Sequence, residues 1–449
     1  MKLRCVCPAG AFAGIALDFV IAYIIVGFSE GRCFPEWSRN FFTKVYVMHS
    51  STYISTSFVS AETIAEDILS AMPQAAAIDG QVGFLFCDSQ TDYATVLAAL
   101  AKRVSFPIVG GTALGFPFSG EDEREISAAL MVVRKEGLTV SVIVSDPLVQ
   151  DRHQEQMRSV FERCRDALGE APKLILPFFP LMPGLATGLF INDVFDLAKD
   201  VPVFGGTTTN DCISTRPAIF AEGAAYGDRM ALVMLGGAVA PVFATSNLVS
   251  PTVEYAPTVT QSEENVVLRV DDASFCDYMR TIGISPEDRI NGVDALMQYG
   301  PTPVIMHNAK APETDVPEVR CISFTDIGKG SATFSGPVPE GTRLRMSILR
   351  KQDVDTSVED CLEKLQRRMK AGEEKGYQYS ALFCISCVAR YFVLAGGPNT
   401  ERELLMRGKP EGLAPIGFYA FCEIGPVYAS SDGRQINRSH SASVAMCAI

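Results

Sequence analysis

The residues with chemistry to offer are sparse, and they gather around two glycine-rich phrases. Phe106–Thr112 reads F-P-I-V-G-G-T, and Val201–Thr207 reads V-P-V-F-G-G-T. The offset is 95 residues (205 − 110 = 95). In each phrase a glycine pair (Gly110, Gly111; Gly205, Gly206) lets another backbone or a ligand come close. The threonine that follows (Thr112; Thr207) adds a hydroxyl. Neither phrase carries a following lysine or opens straight into a helix, so neither is a phosphate-binding P-loop. Two readings fit: a tight turn leaving a buried strand, or a polar loop facing a ligand cleft. Asn210 and Asp211, just past the second phrase, would reach the same cleft.

Ionisable candidates are few. Glu423 sits among apolar neighbours in Tyr419-Ala-Phe-Cys-Glu-Ile-Gly425. A carboxylate buried there needs an arginine or backbone donors as partner, and Arg390, close behind the apolar run Ala381–Cys387, is the candidate. The four histidines (His49, His153, His307, His440) show no metal-ligand spacing. Cys384 and Cys387 form a C-x-x-C, but on a strand residues three apart point to opposite faces, which suits core rather than zinc or redox chemistry. There is no G-x-S-x-G elbow and no assembled nucleophile and base. The expectation is a binding protein, not an enzyme, with no catalytic or metal-ligating residues.

These groups need elements to hold them. Upstream of each phrase lies an apolar run of buried-strand type, Gly83–Asp88 and Leu174–Phe179. Between run and phrase, Tyr93–Lys102 and Asn192–Asp200 have apolar residues recurring at three and four, the helical period. Downstream, Ile126–Val133 with Val140–Val144 matches Ala231–Leu235 with Val242–Thr245 as an antiparallel pair. A third copy follows: strand Ala381–Cys387, helix Thr400–Arg407, then Pro415-Ile-Gly-Phe-Tyr419 and a closing strand Ser441–Cys447. Val354–Met369 has the pattern of an amphipathic helix packing one face on a sheet. The pattern predicts an α+β (mixed α/β) fold in which duplicated strand-helix-strand-hairpin units form mixed sheets packed with helices. A pocket is expected where the copies meet. The Pro-, Ser- and Thr-rich stretch Ser250–Ser262 suggests a boundary between two domains, 49–248 and 249–449.

The chain of 449 residues is 47% hydrophobic and 20% charged, ordinary for globular proteins, and long enough for two sizeable cores. Its net charge of −13 repels phosphate backbones, which argues against a nucleic-acid partner. Thirteen cysteines, odd in number and set mostly within apolar runs, indicate a reducing, cytoplasmic compartment. Residues 9–28 form an apolar run of about membrane-spanning length, broken by Asp18. It reads either as a signal-anchor with a cytosolic body or as a start-site artefact ahead of a folded protein that begins near Met48.

Taken together, these residues resemble the FIST domains, an N-terminal and C-terminal module pair of sensor proteins and of some F-box proteins. The N-type resemblance covers about residues 50–245 and rests on Gly83–Asp88, P-I-V-G-G-T, and Val203-Phe-Gly-Gly-Thr-Thr-Thr-Asn-Asp211. The C-type resemblance covers about 250–449 and rests on Pro339–Arg345, Phe383–Arg390, Gly417–Pro426 and Ile436-Asn437. Cys422 stands where the family usually has glycine, and Gln435-Ile436-Asn437 only approximates its aromatic-His-Asn element. The resemblance implies a sensory protein that binds a small ligand, amino acids being the usual suggestion, and passes the signal to a protein partner supplying the output. It adds Asn437 to the ligand-binding candidates. A bacterial branch of the family binds haem and senses nitric oxide, so haem through His307 or His440 is one alternative. An animal branch serves as a ubiquitin-ligase substrate receptor, so an adaptor role is another, although the first 48 residues do not read as an F-box. Otherwise no cofactor is expected.

Overall fold

The computed structural model describes residues 48–114, 119, 125–182, 185–209, 217–287, 289–290, 293–294, 302–394 and 399–449. Residues 9–28 therefore lie outside the described part, as do Asn210 and Asp211. No described helix is long and apolar enough to cross a membrane. Tyr46–Ile449 forms one compact unit.

Three copies of one unit build its body. The first runs β1 (Met48–Ser55), α1 (Ala61–Ala71), α2 (Gln74–Asp79), β2 (Val82–Asp88), α3 (Tyr93–Ala101), β3 (Ile108–Ala113) and β4 (Ala128–Lys135). The second runs β5 (Leu138–Val144), α4 (His153–Leu168), β6 (Leu174–Pro180), α5 (Thr187–Ala198), β7 (Gly205–Thr208), a hairpin β8 (Ile219–Ala221) and β9 (Ala224–Tyr226), and β10 (Ala231–Gly237). The third opens with β11 (Val242–Ser246) and then takes an insertion. The insertion comprises β12 (Ser250–Pro251), β13 (Val259–Glu263), β14 (Val266–Val270), β15 (Ala273–Ser274), α6 (Phe275–Thr281), β16 (Arg289–Ile290), β17 (Val293–Asp294), β18 (Thr302–His307), β19 (Glu318–Asp326), β20 (Ser331–Phe334) and β21 (Arg343–Ile348). The unit resumes with α7 (Lys351–Glu373), β22 (Ala381–Cys387), α8 (Val388–Val393), α9 (Asn399–Gly408), β23 (Ala414–Ala420), a hairpin β24 (Glu423–Tyr428) and β25 (Gln435–His440), and β26 (Val444–Ala448).

The strand orders β1-β4-β2-β3, β5-β10-β6-β7 and β11-β26-β22-β23 are the same pattern three times. The last two strands of each order are parallel (β2 with β3, β6 with β7, β22 with β23), and the unit's final strand in sequence (β4, β10, β26) lies antiparallel between its first strand and that pair. The mixed-sheet expectation holds, but the strands expected to pair after each Gly-Gly do not pair with each other. β4 closes the first sheet while β5 opens the second, so the repeat boundary falls between them, at Glu136-Gly137. The units also exchange edges. The β8–β9 hairpin of the second extends the first sheet beyond β3, and the β24–β25 hairpin of the third extends the second beyond β7. Leu114, just past β3, bridges to Tyr419 on β23 and closes the ring.

Each sheet turns one face inward. Phe84 and Phe86, Phe178 and Phe204, Phe383 and Phe418 meet in a single central core. Phe84 packs edge-on to Phe383 at 4.7 Å and Phe86 stacks on Phe418 at 4.5 Å between centroids. The outward faces are covered by helices: α1 and α3 on the first sheet, α4 and α5 on the second, α7 and α9 on the third. Strands buried on both sides read as unbroken apolar runs, which is why β2, β6 and β22 stand out in the sequence. Helix α7 buries Val354, Val358, Cys361, Leu362, Leu365 and Met369, the stripe its pattern predicts. Most of the inserted strands form their own sheet, in order β12-β21-β18-β19-β20-β14-β13 with β15 paired to β14 and α6 packed on it, while β16 and β17 pair with each other apart from it.

Candidate functional site

The Gly-Gly-Thr phrases are strand, not loop. Gly110, Gly111 and Thr112 lie in β3; Gly205, Gly206 and Thr207 lie in β7. The glycines serve close packing of backbone on backbone. A Cβ on Gly110 would sit 1.8 Å from the Leu85 carbonyl oxygen, and one on Gly205 would sit 2.1 Å from that of Pro177. Gly417 holds the equivalent place in the third unit, 1.8 Å from the Cys384 oxygen. Gly111 and Gly206 face the return segments of the next unit, near the carbonyls of Ala218 and Cys422. The amide of Thr112 donates to Ala218 O (2.9 Å) and that of Thr207 to Cys422 O (3.1 Å), so both are engaged by the chain itself.

The two threonine side chains differ. Thr112 Oγ1 donates to Thr209 O at 3.0 Å. Thr207 Oγ1 is buried and has no hydrogen-bond partner among the described residues. It lines a cavity of about 210 Å³ between the repeat body and the inserted sheet. The first turn of α5 (Thr187, Gly188, Leu189) forms one wall, Phe334, Ser335 and Gly336 of the insertion another, and the Phe421-Cys422 turn a third. Glu264 and Asn265 stand at its edge, and the rest of the lining is mainly apolar.

A cation backs this cavity. Arg320, 5% exposed, donates from its guanidinium to Val319 O and Ser439 O and pairs with Glu318 at 2.7 Å. Its Nε has no partner among the described residues. A Cβ on Gly336 would come within 2.6 Å of that Nε, so the missing side chain is what lets the guanidinium lie against the wall. The positive end of the α5 dipole adds to the same potential. Sequence reasoning missed Arg320, Ser335 and the start of α5. The readable sign was a charge inside an apolar run, Val319-Arg320-Cys321-Ile322, the same sign that singled out Glu423.

Glu423 and Arg390 are both buried but do not pair. Arg390 is bound to Glu401 of α9 at 2.8 Å. Glu423 Oε2 accepts from Ser443 Oγ at 2.8 Å, and Oε1 has no hydrogen-bond partner among the described residues. Burial pushes its carboxyl up to about 8, only partly offset by Ser443 and the Cys387 thiol. The sign for stability follows from linkage. A group with a raised folded pKa stabilises fully below its unfolded value near 4.5 and loses that contribution as pH rises toward about 8. The advantage of a Glu423→Gln variant over the parent chain is therefore expected to grow between pH 5 and pH 8 in thermal melts; a constant difference would contradict this burial.

Asn437 clamps the entry to β7. Its Oδ1 accepts from Val203 N and its Nδ2 donates to Val201 O, each at 2.9 Å. Asn437→Ala is expected to cost about 1–3 kcal/mol in urea unfolding, because both backbone groups lose their partner. His440 is buried at the end of β25, not in a turn; its Nε2 lies 2.9 Å from Gly425 O, and burial drives it down to about 3. His307 ends β18 on a separate, more open groove. No group of three or more potential metal ligands occurs among the described residues.

The cysteines near Glu423 are held as thiols. Burial raises Cys321 and Cys422 to about 12 and Cys387 well above its ordinary value.

A comparison with curated proteins finds no match. Among solved structures, a cyanuric acid hydrolase aligns at 11% identity and a TM-score of 0.26, over 57% of this chain and 86% of that one. A cyanuric acid hydrolase from A. caulinodans aligns at 12% and 0.25, over 44% and 71%. T. maritima PurL complexed with FGAR aligns at 9% and 0.20, over 90% and 72%. Family comparison matches residues 81–273 to the FIST N domain and residues 287–426 to the FIST C domain. The chain thus belongs to the FIST domain family of signal-transduction sensory domains.

Proposed function

We propose that this protein is a non-enzymatic sensor that binds an amino-acid-like metabolite in the cavity between α5, the inserted sheet and the Phe421-Cys422 turn. The observation that carries the reading is the Thr207 hydroxyl, buried and unpartnered, on the wall of that cavity. A buried hydroxyl without a partner is costly, and a ligand that accepts its hydrogen removes the cost. The remaining walls suit a zwitterion. The α5 N-terminal turn and the Arg320 guanidinium behind Gly336 favour a carboxylate, Glu264 at the rim favours an ammonium, and Leu185, Leu189 and Phe334 favour an apolar side chain. A binding role fits thiols kept protonated and therefore poorly nucleophilic. A partner protein would read the bound state.

Thermal melts of the full chain against the natural amino acids test the reading. A ligand at about 100 times its Kd adds about 2.7 kcal/mol and raises the midpoint. No shift with any of them at millimolar concentration would contradict it.

A further inference from the structure

A second cavity, of about 200 Å³, adjoins the first and shares Ser323, Ser335 and Phe421 with it. Its own walls are Cys321, Cys387, Val388, Ala389 and Phe392. Its hydroxyls are largely spent on the chain. Ser335 Oγ and Ser441 Oγ bond each other at 2.6 Å, and Ser335 Oγ also accepts from the Cys321 amide at 2.9 Å. Its cysteines are buried thiols, which behave as small hydrophobes. The space therefore offers little to a polar group and much to a hydrocarbon. Phe392 is left 47% exposed beside it, a large apolar surface that a chain lying in the cavity would cover.

We propose that the second cavity is a subsite for the aliphatic tail of the same ligand, so that the protein selects amino acids with long unbranched apolar side chains over short or polar ones. The inference rests on the reading of the first cavity as the head-group site. Phe421, standing in the wall of both, lies where head meets tail. Each methylene moved from water into the second cavity tightens binding by about fourfold.

A chain-length series on the full protein tests this: alanine, norvaline, norleucine and 2-aminooctanoic acid, by calorimetric titration at fixed pH. The expected result is affinity rising by about fourfold per methylene along the series. The rise should flatten in Ala389→Leu, which places a larger side chain in the second cavity. Binding that is equal along the series overturns the tail subsite and leaves the head-group reading standing. Binding by alanine alone, falling with length, does the same. No binding by any member overturns both. If Ala389→Leu fails to fold, Phe392→Ala, at a half-exposed wall of the second cavity alone, takes its place: the gain per methylene should fall, and an unchanged slope overturns the tail subsite.

Discussion

Gly205→Ala is expected to abolish soluble expression or to lower stability by about 4 kcal/mol or more. The new methyl would sit 2.1 Å from the Pro177 carbonyl oxygen, far inside van der Waals contact, and backbone on a central parallel pair cannot yield as a side chain can. Gly110→Ala and Gly417→Ala meet the Leu85 and Cys384 oxygens at 1.8 Å and should behave alike. The likeness matters, because it is the energetic signature of a unit repeated three times. Gly169→Ala is the control. Gly169 caps α4 in a left-handed conformation with nothing within 4 Å of a built Cβ, so only a backbone cost of about 1–2 kcal/mol is expected. Soluble expression and thermal melts of the four variants separate the cases; a well-folded Gly417→Ala would contradict the equivalence of the third unit.

Arg390→Met is expected to cost about 3–5 kcal/mol in urea unfolding. The guanidinium is fully buried and holds Glu401 Oε1 through Nε at 3.0 Å and Nη2 at 2.8 Å. It also donates to Ser357 Oγ at 2.6 Å and to Val354 O at 3.1 Å. Glu401 in turn accepts from Ser386 Oγ and from the Tyr419 hydroxyl. Removing the cation leaves a carboxylate stranded in the core, which is worse than having neither charge. Arg390→Met with Glu401→Gln should therefore recover part of the loss. Additive losses in the double variant would mean that the two do not act as a pair.

What the sequence made legible follows burial. Strands covered on both faces print as apolar runs, and a glycine demanded by a backbone contact prints as an invariant of the unit, so Gly110 and Gly205 revealed the repeat and Gly417 its third copy. The frame was harder. β1 and β5 each precede their helix, and nothing local in Ala128–Val144 says that the turn after β4 leaves one sheet for another. The insertion between β11 and α7 parts the third unit's first strand from the rest. The site was legible only where one chain segment carries both the oddity and its cause. Thr207 was flagged from its phrase, but its empty bonding position depends on Phe421-Cys422 and on the insertion, distant in sequence. Arg390 was paired with Glu423 on grounds of apolar company, whereas its partner Glu401 lies in a helix rich in charge, Asn399–Gly408, where no apolar neighbours single it out.

The central claim, that the cavity beside Thr207 is a ligand site, is tested most directly by methyl NMR of the full chain during titration with amino acids to about 10 mM. The account predicts that the methyl signals of Thr207, Leu185 and Leu189 move together and saturate, while that of Val160 on the buried face of α4 stays still. Saturable shifts elsewhere with these three unmoved, or no saturable shift with any amino acid, would contradict it.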